Sequence, residues 1–140
     1  MKFRGKLSLV TTLIAGLVII PAAPSLAEGS WSSSITNALT GFSSRSWNDQ
    51  NTDSVATKTT FKTCSETWGT PKSVGSITVA LVDHRGALLP AKTVSTKTTK
   101  GCGSVNFGDR KKSTYHFTIK KIAGLSSGVR LTAKKVTQTY

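Results

Sequence analysis

The chain has 140 residues, 37% of them hydrophobic and 18% charged, with a net charge of +13 at pH 7. That length bounds it to one domain around one core. The excess of Lys and Arg points to polyanionic partners, because the summed field acts on any of them.

Lys2, Arg4 and Lys6 precede Leu7 to Ile20, a 14-residue run without a charge. Pro21 and Pro24 break the run, and Ser25-Leu26-Ala27 places small residues at the −3 and −1 positions of a cleavage site. This order is that of a secretory signal peptide over 1–27, cut between Ala27 and Glu28. A spanning helix needs about 20 apolar residues, so the expectation is a soluble, extracellular product with no integral membrane segment after cleavage. The remainder, 28–140, keeps 16 of the cations against all six acids, a net charge of +10.

Within 28–140 the segment 30–39 reads as a strand, although Ile35, Leu39 and Phe42 also fit a helical spacing. Asn48–Asp53 is a turn cluster. There Asp49, Asn51 and Asp53 stand two apart, as at the start of a calcium loop. Ser54 holds the place of the loop glycine and Thr60 that of the bidentate Glu. A polar turn is therefore the expectation, and no metal is assigned.

Strands follow over 54–63 and 75–83 with the turn signal Trp68–Pro71 between them. Ile77, Val79 and Leu81 alternate with Thr78, Ala80 and Val82, giving one dry and one wet face. Asp83–Gly86 is the next turn, and 91–98 and 102–107 the next strands. Gly108–Lys112 leads into 113–122, where Tyr115, Phe117 and Ile119 alternate with polar neighbours. Gly124–Gly128 leads into 128–139, where Val129, Leu131 and Ala133 do the same. Many β-branched threonines and only two prolines after the leader, Pro71 and Pro90, favour sheet. Seven strands in roughly 110 residues define an all-β, antiparallel β-sandwich, with a small closed β-barrel as the alternative. An immunoglobulin-type framework needs a Trp on the strand after the first cysteine, whereas Trp68 follows Cys64 by four residues.

Cys64 and Cys102 are the only cysteines. An even pair in an exported chain reads as a structural disulfide. Trp31, Trp47 and Trp68 fall near strand ends. Trp47 is expected in the core, while Trp31 and Trp68 remain open between core plugs and exposed stacking surfaces.

The chain has no Gly-x-Ser-x-Gly elbow, no His-Glu-x-x-His helix and no zinc spacing. A non-enzymatic protein without a cofactor is therefore expected. Glu66, His84, Arg85 and His116 are the residue types of a phosphodiester-cleaving site, but nothing in their spacing joins them. The cations carry the leading reading. Arg110, Lys111 and Lys112 form a basic turn, Lys120 and Lys121 close one strand, Arg130 opens the next, and Lys134-Lys135 follow. If 113–122 and 128–139 pair as a hairpin with Ile119 opposite Leu131, Lys120 faces Arg130. Facing like charges are destabilising, so such a pair either stays solvated or takes an anion. Lys58 and Lys62 share one face of an earlier strand.

The expected function is that of a secreted cationic protein binding an anionic polymer, or the membrane or wall surface of a cell envelope, and not a specific nucleic acid. A secreted antibacterial, bacteriocin-like toxin using the same charge is one alternative, and a small secreted nuclease is another. A charged face can also serve only to keep strands apart and the protein in solution.

Overall fold

The structure, a computed structural model, describes residues 29–140; the signal peptide expected over 1–27 lies outside them. Nine strands form two antiparallel sheets: β1 (Ser30–Ala38), β2 (Trp47–Asp49), β3 (Lys58–Trp68), β4 (Thr70–Ser73), β5 (Ile77–Asp83), β6 (Lys92–Thr98), β7 (Ser104–Asn106), β8 (Ser113–Ile122) and β9 (Arg130–Thr139). The first sheet runs β1-β9-β3-β4 with β7 also on β3, and the second runs β2-β8-β5-β6. The described residues contain no helix, and the sheets stay separate layers, so the closed barrel does not form.

Period-two alternation places the dry faces against one another. Ile77, Val79 and Leu81 on β5 and Phe117, Ile119 and Ile122 on β8 are fully buried. Phe61 on β3 meets Phe117 edge-on at 5.9 Å, and Trp31 on β1 stacks on Phe117 at 6.2 Å. Trp47 is buried and stacks on Tyr140 at 5.8 Å. These contacts tie the two layers through aromatic rings, which prefer offset or edge-on geometry. The buried polar pair of the first sheet is satisfied internally: Thr59 Oγ1 donates to Gln138 Oε1, removing the cost of an orphaned amide.

Two strands exceed the expected seven, and both are short. β2 occupies the start of the Asn48–Asp53 turn cluster, and three residues are too few to display alternation. β3 runs five residues past its expected end at 63, and Gly69 at φ +82° turns it back into β4. Glycine meets no steric penalty at that φ.

The expected hairpin between 113–122 and 128–139 is replaced by a crossing. β8 lies in the second sheet and β9 in the first, and the segment after Ile122 carries the chain from one layer to the other. Ile119 therefore opposes Val79, and Arg130 opposes Thr67. The disulfide forms as expected. Cys64 on β3 bonds Cys102 just before β7, with Cα atoms 5.4 Å apart.

Candidate anion-binding site

Strand direction sorts the charges. Asp83 pairs with Lys92, Asp49 with Ser113 and Lys58 with Asn106, so these residues and the β7–β8 turn share one end of the sandwich. That end holds the cations Lys58, Arg85, Lys92, Arg110, Lys111 and Lys112, together with four acids, Asp49, Asp53, Asp83 and Asp109. The opposite end, where β8 stops and β9 starts, carries Lys72, Lys97, Lys100, Lys120, Lys121 and Arg130. Its single described acid, Glu66, is buried and joined to Lys72 at 3.1 Å. One end is therefore nearly balanced, and the other shows solvent an almost unopposed positive field.

Two bulges expose paired lysines, one at this end and one midway along the first sheet. The sequences Ile119-Lys120-Lys121-Ile122 and Ala133-Lys134-Lys135-Val136 each bury the outer pair and expose both lysines. In β8 the extra residue falls opposite the Thr78–Val79 step of β5; in β9 it falls opposite the Ser33–Ile35 step of β1. A bulge adds a residue to one strand and shifts its phase, so adjacent lysines can both face water. On the outer face of the first sheet, Lys135 opposes Lys62 directly. This is the like-charge pairing expected for Lys120 and Arg130, formed by different residues. Thr63, beside Lys62, holds φ +52°, a strained conformation for a β-branched residue.

The six cations singled out in the sequence do not form one patch. Arg110, Lys111 and Lys112 lie at the acid-bearing end, Lys120 and Arg130 at the opposite end on different sheets, and Lys134 on the first sheet between them. Arg130 also donates from Nη1 to the Asn37 carbonyl at 3.1 Å, fixing its guanidinium beside the end of β1. Arg110 is turned inward and donates to the Phe107 carbonyl.

The calcium-like triplet is built as turn structure. Asp49 Oδ1 accepts from the Asn51 amide at 2.9 Å, and Asp53 Oδ1 accepts from the Val55 amide at 2.8 Å. These are the local side-chain-to-backbone bonds through which Asp forms turns.

His84 and His116 meet on the outer face of the second sheet. His116 Nδ1 lies 2.8 Å from His84 Nε2, and Ser46 Oγ lies 3.3 Å from the same His84 nitrogen. Burial first, and then the neighbouring His84, lowers the His116 pKa. The two rings share a hydrogen bond with no space for a phosphate between them, whereas in-line displacement needs groups on both sides of phosphorus. Arg85, Lys111 and Lys112 line an open cleft of about 590 Å³ that neither imidazole enters. Glu66 lies on the other sheet.

Tyr115, next to the basic turn, is 2% exposed and donates from Oη to the Lys111 carbonyl at 2.7 Å. Burial, then Asp83 and Asp49, push its pKa up to about 12 against a smaller opposing effect of Arg110. In the unfolded chain the phenol ionises near 10. Folding therefore retains a proton that the unfolded state loses, and stability falls as pH rises from about 10 to about 12. Urea unfolding across that range should show the protein losing on the order of 1–2 kcal/mol more than Tyr115→Phe. Lysine neutralisation is common to both and cancels. Equal losses in the two proteins would contradict the assignment.

Trp31 and Trp47 are buried, and Trp68 is 67% exposed at the β3–β4 reversal. The protein is thus a disulfide-bridged, cationic two-sheet β-sandwich whose described acids, the buried Glu66 apart, lie at one end. Comparison with protein-family models, curated proteins and solved structures finds no match to this chain.

Proposed function

We propose that the protein is exported and, without catalysing a reaction, binds anionic surfaces of the cell envelope through its acid-poor end. The observation carrying this reading is the segregation of charge: four of the described acids sit at one end, and the other end keeps Lys120, Lys121 and Arg130 with no free carboxylate to neutralise them. A charge surplus needed only for solubility has no reason to be polarised along the strands. Export is supported by the leader-like first 27 residues and by the formed Cys64–Cys102 bridge. Among the described residues no helix is long and apolar enough to cross a membrane.

Retention on dextran sulfate, used as a model polyanion, separates the two ends. Reversing Lys120, Lys121 and Arg130 to Glu should lower low-salt affinity by at least about 100-fold, since each cation lost near an anionic surface costs about 1 kcal/mol and each added carboxylate is repelled. The same reversal at Arg110, Lys111 and Lys112 should lower it by less than about 10-fold, because that end is already partly neutralised. Binding of the unaltered protein should fade between about 50 mM and about 500 mM salt as the Debye length shrinks. Equal losses from both triple variants, or retention indifferent to salt, would overturn the proposal.

A further inference from the structure

The acid-poor end also carries the wrong chemistry for a purely soluble polymer. Trp68 is 67% exposed, Leu39 is 44% exposed just after β1, and Leu125 is 41% exposed in the β8–β9 crossing. These side chains stand on three different turns, all at the end that bears Lys120, Lys121 and Arg130. We infer that this end docks on the surface of an anionic lipid bilayer, seating Trp68, Leu39 and Leu125 in the headgroup layer with the three cations beside them. The inference rests on the function proposed above and names its partner.

The turns are built to hold the apolar side chains outward. Ile122 and Leu125 exchange backbone hydrogen bonds at 2.9 and 3.0 Å. Thr40 Oγ1 donates to the Ser126 carbonyl at 2.6 Å, tying the Leu39 turn to the Leu125 turn. Arg130 Nη1 closes the same corner on Asn37. Gly69 lets β3 reverse within one residue, so Trp68 projects from a tight hairpin. Ordered turns lose little conformational freedom on docking.

Each component matches one layer of a bilayer surface. Indole favours the headgroup region, where its ring is apolar and its N–H is wet. Leucine gains by leaving water, and Lys or Arg gains near anionic lipid, with the aliphatic stem along the apolar boundary. The opposite end is a control within the molecule. Leu88 there is 97% exposed, but the four acids of that end offset most of the charge of its six cations, so its positive field is weak. An exposed apolar tip and a nearly balanced field coincide at that end, and only the acid-poor end joins exposed apolar side chains to an almost unopposed positive field.

The chain from Glu28 onward, which contains all nine strands, is mixed with vesicles of phosphatidylcholine, with or without phosphatidylglycerol. Trp31 and Trp47 are already buried, so a blue shift of tryptophan emission and protection from acrylamide report Trp68. Both should appear on the anionic vesicles and not on the neutral ones. Leu125→Asn and Leu39→Asn, which add no charge, should each weaken vesicle binding by about 10-fold or more, while dextran sulfate binding changes by less than about 2-fold. Leu88→Asn, the same change at the opposite end, should leave both unchanged. No blue shift on anionic vesicles, with dextran sulfate binding intact, would overturn the bilayer inference and leave the proposed function standing. Loss of both kinds of binding in the unaltered protein would overturn the two together. An equal effect of Leu88→Asn and Leu125→Asn would also overturn the assignment of the docking end.

Discussion

The protein with Cys64 and Cys102 both replaced by Ser is expected to be less stable than the bridged protein by about 4 kcal/mol. The bond joins residues 38 apart, and the chain-entropy treatment of a loop of that length gives this figure. Its position makes the loss local as well as global. β7 is three residues long and is held to β3 at Thr60–Ser104, Thr59–Val105 and Lys58–Asn106. Cys102 stands two residues before that strand, so the bridge adds a covalent tie to the few hydrogen bonds that hold this short element on β3. Urea denaturation of the two proteins, with midpoint and slope both fitted, measures the difference. The unbridged protein should also melt at least ~10 °C lower, given the usual scaling for a domain of this size. A difference below about 1 kcal/mol would mean that the unfolded chain gains little freedom when the bridge is absent.

The second large effect is expected at Phe117. This ring is 1% exposed, stacks on Trp31 and meets Phe61 edge-on, so it links the first sheet to the second. Phe117→Ala removes the ring from both contacts and leaves a void that rigid strands on either side cannot close. The expected cost is about 3–5 kcal/mol, a large fraction of the 5–15 kcal/mol that stabilises an ordinary domain. Leu88→Ala, at a position 97% exposed, should cost less than about 0.5 kcal/mol. Equilibrium unfolding of both variants tests the contrast. A cost at Phe117 no larger than that at Leu88 would place the core elsewhere. Combining Phe117→Ala with loss of the bridge should leave little folded protein at 37 °C.

One like-charge pair and one strained residue stand side by side on the outer face of the first sheet. Lys62 opposite Lys135 weakens the sheet locally, and Thr63 at φ +52° adds backbone strain beside it. Neither feature helps the fold.

Several elements were legible from residue order alone. Ile77-Val79-Leu81 and Tyr115-Phe117-Ile119 identify β5 and β8 because strand side chains alternate with a period of two, whatever the rest of the chain does. The cysteine pair and the burial of Trp47 were equally accessible. The Lys-Lys steps held a signal that simple alternation passes over. Apolar residues three apart around two lysines, as in Ile119–Ile122 and Ala133–Val136, mark a residue inserted into a strand. β2 and β4 were too short to show any period.

Tertiary structure decided which strands became neighbours. The turn after Ile122 is compatible with a hairpin and with a crossing between layers; both bury one face of β8 and one face of β9. Only the partners supplied by distant segments, β5 for β8 and β1 with β3 for β9, distinguish the two. The charge polarity has the same origin. Asp49, Asp53, Asp83 and Asp109 are scattered along the sequence and converge at one end because strands and their connections bring them there. Strand identity follows from local periodicity, and pairing follows from contacts between remote residues. The nature of the domain could therefore be read from the chain, while the place of its exposed charge depended on the fold.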